Sequence, residues 1–304
     1  MNLSIIIVSW NTRALLARCL ESIFAYPPGH WYEVIVVDNA SSDGSPEMVR
    51  KGFAQTRLIE NHENIGFARA NNLGILQCQG QAIMLLNPDT EIKPGAFQAI
   101  LQFLDDHPKT GAAGPRILNP DGSLQFSCSP TPTLFRETLR LFHLPGMRPD
   151  GYYPMDRWDQ TTPRRVDILI GACMVIRREA LDQVGLLDED YFMYSEEVDL
   201  CSRLGMNGWE LYWVPTGQVV HYGGQSTQQV AQEMFLRLYE SKLNYFRKHR
   251  GSLATLTYKL VLVLAAFLRL SLIPFAILES PARRSNHLRL ADNYRRLLAA
   301  LPGL

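Results

Sequence analysis

Three short runs constrain this chain more than anything else in it. Residues 3–8 (LSIIIV), 33–37 (EVIVV) and 82–86 (AIMLL) are almost wholly aliphatic, and each stops abruptly on polar residues. Apolar character that is continuous rather than alternating is what a strand needs when both faces of its sheet are covered. Helical patterns fill the intervals. Leu15, Leu16, Cys19, Leu20, Ile23 and Phe24 repeat at helical spacing before Pro27 and Pro28 end the series, and a shorter helix is expected around residues 47–53. A further short strand is expected at residues 57–60, and a helix from Phe67 onward. Alternation of this kind implies an α/β fold with a mainly parallel sheet and right-handed crossovers. The polar terminators are Ser9 with Asn11, Asp38 with Asn39, and Asn87 with Asp89. Parallel strands put their carboxyl ends on one edge, where open α/β sheets bind ligands, so the three clusters are expected to converge.

The third cluster is the most specific chemically. Pro88 cannot donate to a sheet ladder, so the chain leaves the sheet at Asn87-Pro88-Asp89. A carboxylate beside an amide at a strand end suits a divalent cation that bridges to phosphate oxygens, although an ordinary turn uses the same residue types.

After a helix at residues 94–106, prolines interrupt residues 111–165 repeatedly, and no regular element is legible; the segment is expected to face a substrate. Order returns with a strand at residues 166–178, broken by Gly171. Glu196, Glu197 and Asp199 then open a helix. Carboxylates favour a helix N-terminus through its dipole. Three within four residues also repel one another, and Tyr191, Phe192, Met193 and Tyr194 put apolar bulk beside them, which raises a carboxylate's pKa toward that of a useful general base. Strands are expected at residues 210–214 and 219–224, the second carrying His221 ahead of a flexible Gly-Gly-Gln-Ser-Thr run.

Charge is distributed unevenly. From Lys242 to the end, eleven Lys or Arg face only Glu279 and Asp292, so a basic tail of +9 offsets an acidic body of −9. A basic tail fits an anionic membrane surface or nucleic acid. Residues 260–278 are apolar apart from Arg269 and Ser271, long enough for a membrane span. Arg269 costs about 2.5–3.5 kcal/mol at the centre of such a span, and Pro274 breaks it, so a helix lying in the interface is the better expectation, with a core pair or a homodimer contact as the alternative. Five widely spaced cysteines without a C-x-x-C pair argue against disulfides and zinc and for a reducing compartment. The first residues enter a strand directly, without a secretory pattern.

Taken in order, IIVSWN, VVDNASSDGS, NIGFARANNLGI, LLNPDT, GACMVIRREAL, FMYSEEVDLCSRL and HYGGQST resemble the inverting glycosyltransferases of family 2, and more closely their rhamnosyltransferase-like members. The resemblance covers roughly residues 1–227 and implies the GT-A fold, with residues 1–240 as the catalytic domain (1–110 the nucleotide-sugar half, 111–240 the acceptor half) and 241–304 as a helical tail. It implies that Asp38 accepts the N3–H of uracil or thymine, that Ser9, Asn11, Asn39, Asn64, Gly66 and Asn72 line the donor nucleotide and diphosphate, and that Asn87 and Asp89 stand for the family's metal-binding motif. Asp89 and His221 would hold Mg²⁺ or Mn²⁺. Glu197, with Glu196 beside it, matches the family's general base, usually an Asp in an ED pair, which leaves open which glutamate acts. The Q-x-x-R-W element of the processive synthases is missing, because Pro154 stands where its Gln would be, so a single transfer is expected.

The implied donor is dTDP-rhamnose or a UDP-sugar, the acceptor a lipid-linked saccharide, and the place the cytoplasmic face of the cell membrane, reached peripherally through the tail rather than through nucleic acid. The rivals are a metal-dependent sugar nucleotidyltransferase, which has no need of the second carboxylate cluster, and a non-catalytic membrane-associated binding protein, which leaves the converging strand ends unexplained. No G-x-G-x-x-G or G-x-x-x-x-G-K-[ST] follows any strand.

Overall fold

Strand β1 (Leu3–Ser9) is buried at every position because both of its faces are covered. Leu3, Ile5 and Ile7 join one apolar cluster while Ile6 and Val8 join another. The computed structural model describes residues 1–142, 151–224, 227–274 and 281–304. After β1 the chain runs through α1 (Arg13–Ala25), β2 (Tyr32–Asp38), α2 (Ser45–Gly52), β3 (Arg57–Glu60), α3 (Phe67–Leu76), β4 (Ala82–Leu86), β5 (Thr90–Ile92) and α4 (Ala96–Asp106). It continues through β6 (Thr110–Leu118), β7 (Cys128–Ser129), α5 (Leu134–Leu141), β8 (Arg164–Val166), β9 (Ile168–Leu169), β10 (Cys173–Arg177), α6 (Arg178–Val184), α7 (Glu196–Met206) and β11 (Glu210–His221), and ends in α8 (Ala231–Ser271) and α9 (Pro281–Ala300).

The main sheet has the order β3-β2-β1-β4-β10-β6-β11-β5, with β8 also paired to β11. β3, β2, β1 and β4 are mutually parallel, and β11 is parallel to β6. β10 runs antiparallel to both of its neighbours, so its beginning, not its end, meets the carboxyl ends of β1, β2 and β4. Helices α1, α2 and α4 cover one face, and α3, α6 and α7 the other.

Several expectations change here. The two strands expected at residues 210–214 and 219–224 are one strand, β11, which shifts register against β6 between Val214 and Gln218. Pro115 pairs with Val214 at that irregularity, where a missing N–H is tolerated, and this explains how a proline-containing GAAGPRIL run forms a central strand. The strand expected at 166–178 is divided into β8, β9 and β10. Residues 111–165, illegible in sequence, supply β6, β7 and α5.

Contacts group the chain into two units, Met1–Thr131 with Tyr152–Phe192 and Glu196–Gln229, and Pro132–Gly151 with Met193–Ser195 and Val230–Leu304. In the second, α5, α8 and α9 share a core of Leu141, Tyr258, Leu262, Ala265, Ala266, Tyr294 and Leu297. Buried Glu137 there receives Lys242 at 2.7 Å, Arg140 at 2.7 Å and the Tyr258 hydroxyl at 3.2 Å. α8 is two helical stretches joined at Gly251, whose φ of 81° is outside the helical region. Arg269 is turned inward: its guanidinium lies 5.1 Å from the Tyr294 ring centre and donates to the Leu141 carbonyl. The arginine that argued against burial of this helix in lipid is therefore satisfied by protein. All five cysteines are buried and free.

Candidate active site

The ends of β1, β2 and β4 meet as parallel pairing requires. Ser9 is opposite Asp38, and the Asn39 amide donates to the Ser9 carbonyl at 2.8 Å. Asp38 is 2% exposed; Oδ2 accepts the Ser41 amide at 2.8 Å, and Oδ1 has no partner. Burial pushes this carboxyl above its usual value, against the lowering effect of the Ser41 hydrogen bond. A buried carboxylate oxygen left without a donor is expensive, and such an atom marks a place for a ligand N–H.

Most of the asparagines near it have other work. Asn11, at φ 51°, accepts the Ser42 amide on its side-chain oxygen at 2.8 Å and donates its own amide to Ser41 Oγ at 2.9 Å. It shapes the loop that carries Asp38, and Ala40 in that loop is also left-handed, at φ 62°. Asn39 Nδ2 donates to the Gly66 carbonyl at 3.1 Å and to Asn64 Oδ1 at 3.2 Å, while its Oδ1 accepts Asn61 at 2.8 Å. Asn64 Oδ1 also accepts the Gly66 amide at 3.1 Å. These residues tie the ends of β2 and β3 to the start of α3. Asn72, expected to approach the donor, is buried and spent elsewhere: it donates to the Leu187 carbonyl at 2.8 Å and to Glu189 at 3.1 Å, and accepts the Leu187 amide at 3.1 Å. Its side chain holds the 187–189 loop, with both amide hydrogens taken up there.

Gly66 has a fixed requirement. At φ 86° it precedes α3, the Phe67 amide donates to the Phe192 carbonyl at 2.7 Å, and an added Cβ would lie 2.6 Å from that same oxygen. Only glycine lets the two segments approach this closely.

At the end of β4 the Asn87 amide donates to the Ala172 carbonyl at 2.9 Å, which joins it to the approach of β10. Asp89 is 6% exposed, and its Oδ1 lies 3.3 Å from His221 Nε2; Asn87 Nδ2 is 3.5 Å from the same nitrogen. His221 is opposite Thr90 in the β11–β5 pair, so the long strand delivers it to the β4 end. Gln125, which nothing in its sequence surroundings singled out, places Oε1 2.6 Å from His221 Nδ1. Among the described residues no group of three or more His, Cys, Asp and Glu is placed to hold a metal ion. Asp89 and His221 offer a carboxylate and an imidazole, a donor pair that fits a divalent cation whose remaining ligands are diphosphate oxygens and water.

Glu196 and Glu197 begin α7, and Gly171, one residue before Ala172, lies so close that an added Cβ would meet Glu197 at 3.7 Å. Glu197 thus lies beside Gly171, one residue before the Ala172 carbonyl that accepts the Asn87 amide. Glu196 is 5% exposed, its Oε2 is unpartnered, and burial first and the Glu197 charge second push it well above its usual value. Asp199 does not join them: it is fully buried and bound to Arg203 at 2.7 Å, which also donates to the carbonyls of Val184 and Leu186. Tyr194 and Ser195, just before the pair, have φ of 69° and 66°. Consecutive left-handed residues cost about 1–3 kcal/mol each and concentrate at functional sites. A cleft of about 670 Å³ beside Asn11, Arg13, Asp43 and Gln229 contains none of the other candidate residues.

An α/β sheet of this order, mostly parallel and flanked by helices on both faces, is that of the GT-A fold. The solved mannosyltransferase PcManGT of Pyrobaculum calidifontis, in complex with GDP-Man and Mn²⁺, superposes with a TM-score of 0.59 at 18% identity, covering 98% of this chain and 86% of that one. GalNAc-T7 with UDP, GalNAc and Mn²⁺ gives 0.55 at 17% identity over 73% of this chain, which spans only 44% of that enzyme. Residues 4–185 match the model of Glycosyl transferase family 2, and the chain belongs to that family. It is 32% identical over 244 residues to the N-acetylglucosaminyl-diphospho-decaprenol L-rhamnosyltransferase of Mycobacterium tuberculosis, covering 74% of this chain and 77% of the relative.

Proposed function

We propose that the protein transfers one sugar, with inversion, from a uracil or thymine nucleoside diphosphate sugar, dTDP-rhamnose foremost, to a hydroxyl of a lipid-linked saccharide. The single observation that carries this reading is the orphaned Asp38 oxygen and the Asp89–His221 pair at the carboxyl ends of β2 and β4, with Glu197 beside Gly171 at the approach to β10.

Asp38 Oδ1 would accept the base N3–H, which selects uracil or thymine over cytosine. Asp89 and His221 would hold Mg²⁺ or Mn²⁺, which when bound offsets the charge of the departing diphosphate. Glu197, more exposed than Glu196, would take the proton of the acceptor hydroxyl as its oxygen attacks the anomeric carbon on the face opposite the diphosphate. Glu196, buried and pushed toward its neutral form, would let its neighbour carry the negative charge of the pair. The bond to the acceptor oxygen forms as the bond to the diphosphate breaks, and one displacement inverts the centre.

The tail supports attachment to the cytoplasmic face of a membrane without spanning it. On α8, Leu253, Leu256, Leu260, Leu264, Phe267 and Leu268 are 49–79% exposed along one helical stripe, while Tyr258, Leu262, Ala265 and Ala266 are buried against the other helices. Arg247, Lys248 and Arg250 are exposed just before the stripe, as anionic lipid favours.

The test is incubation with dTDP-rhamnose, UDP-sugars and a polyprenyl-diphosphate-linked N-acetylglucosamine in the presence of Mn²⁺, reading nucleotide release and the anomeric configuration of the product. Metal-dependent release with an inverted product is expected. No release from any sugar nucleotide, or retention of configuration, overturns the proposal.

A further inference from the structure

Gln125 lies in the run between β6 and β7, and its contacts fix the orientation of its amide. Nε2 donates to Asn119 Oδ1 at 2.8 Å and to the main-chain carbonyl of His221 at 3.3 Å. A main-chain carbonyl only accepts, so the amide nitrogen belongs on that side and Oε1 on the side of the imidazole. Oε1 is 2.6 Å from His221 Nδ1. Two bare acceptors do not approach so closely, so Nδ1 carries a hydrogen. In the neutral ring the other nitrogen, Nε2, is then a bare lone pair. That nitrogen is the one 3.3 Å from Asp89 Oδ1 and 3.5 Å from Asn87 Nδ2.

The glutamine is itself held. Its main-chain N–H donates to the Ile117 carbonyl at 2.9 Å, and its partner Asn119 is fastened to Ser123 through the main chain at 2.8 Å and the side chain at 2.9 Å. A short turn at residues 119–123 therefore buttresses Gln125, which buttresses the ring.

We propose that Gln125 is a positioning residue for the cation centre: it locks His221 in the Nδ1–H tautomer, with Nε2 kept as the ligand atom beside Asp89. This rests on the reading of Asp89 and His221 as cation ligands. Ligating histidines hold their geometry by donating the other ring N–H to an oxygen, and loss of such a partner weakens metal affinity by about 10- to 100-fold.

The experiment has two arms. Two-bond ¹H–¹⁵N correlation spectra of metal-free protein labelled in histidine, in mildly alkaline buffer, report the His221 tautomer directly, assigned against His221→Ala. Calorimetric titration of Mn²⁺ into protein saturated with UDP reports affinity. Wild type should show the Nδ1–H form; Gln125→Met, of similar volume, should lose it or become mixed and bind Mn²⁺ about 10- to 100-fold more weakly. Asp89→Asn and His221→Ala are the controls for the underlying reading. If both controls lose affinity and Gln125→Met does not, the role of Gln125 is overturned while the cation centre stands. If neither control loses affinity, the centre itself is wrong. Should Gln125→Met fail to fold, the wild-type spectrum still decides, because an Nε2–H ring overturns the proposal.

Discussion

The Asp38 carboxylate accepts the Ser41 amide on Oδ2 at 2.8 Å and keeps Oδ1 buried without a donor. The folded protein holds the Asp38 proton more tightly than the unfolded chain does, because its pKa is raised from 3.8. The cost of burying this charge is absent below that unfolded value and complete once pH has risen through the folded one. Asp38→Asn should therefore raise the Tm of the ligand-free protein near neutral pH, with the gain vanishing in acid. It should also weaken UDP or dTDP binding by roughly 10- to 150-fold, the worth of a charge-assisted hydrogen bond of about 1.5–3 kcal/mol. Calorimetry and thermal melts across pH check both, and a variant that is less stable yet binds normally would sink the assignment.

Glu196 and Glu197 are adjacent but unequal. Glu196 is buried with its pKa raised, so Glu196→Gln imitates its neutral form and should retain transfer within about tenfold, whereas Glu197→Gln should lose about 10²- to 10⁴-fold in kcat, the usual worth of a general base. The raised Glu196 pKa means that its charge destabilises the fold increasingly as pH rises through it, so Glu196→Gln should melt higher than wild type in alkaline buffer. Reversed kinetic effects would make Glu196 the base.

Asp89 and Asn87 flank Pro88 and face the same imidazole, but only Asp89 carries charge. Asp89→Asn should abolish Mn²⁺-dependent transfer, by 10³-fold or more in order of magnitude, with an unchanged melt, while Asn87→Ala should cost about tenfold, the scale of one neutral hydrogen bond. Equal losses would count against that division.

Much of this was written plainly in the chain and some was not. β1, β2 and β4 announce themselves because both sheet faces are covered, leaving no polar position to blur the run. The polar strand ends follow from parallel pairing, so their convergence needed no contact information. β6 was hidden because Gly111, Gly114 and Pro115 read as a loop, and only the register shift opposite Pro115 lets that run pair. Asn39, Asn64 and Asn72 share a composition with ligand-lining residues, and only their partners show that they brace loops. Gln125 carries no local signal at all, since its role depends on His221, far along the chain.

Gly66→Ala tests the approach of α3 to the segment before α7. An alanine at φ 86° and ψ 172°, a region essentially reserved for glycine, costs about 1–3 kcal/mol, and its methyl would stand 2.6 Å from the Phe192 carbonyl, an atom that cannot swing away. The variant should lose about 3 kcal/mol or more in urea unfolding, and transfer should fall further than stability explains, because the displaced segment leads into Glu196 and Glu197. A variant of wild-type stability would show that the two segments separate freely.

The exposed stripe on α8 is best tested without touching its other face. Removing residues 253–304 would expose Leu141, Tyr239 and Leu243, so loss of membrane binding in a truncated protein would be confounded by an opened core. Leu256, Leu260 and Leu264 are 55%, 62% and 61% exposed and can be changed to Glu together. Each leucine that enters lipid contributes about 1.5–3 kcal/mol, and each nearby Lys or Arg about 1 kcal/mol on anionic surfaces. Wild type should sediment with anionic vesicles, less with neutral ones and less again in high salt, while the triple variant stays in solution with an unchanged melt. A wild type that ignores vesicles but sediments as a dimer, broken by the same three changes, would assign the stripe to a second copy of the chain instead.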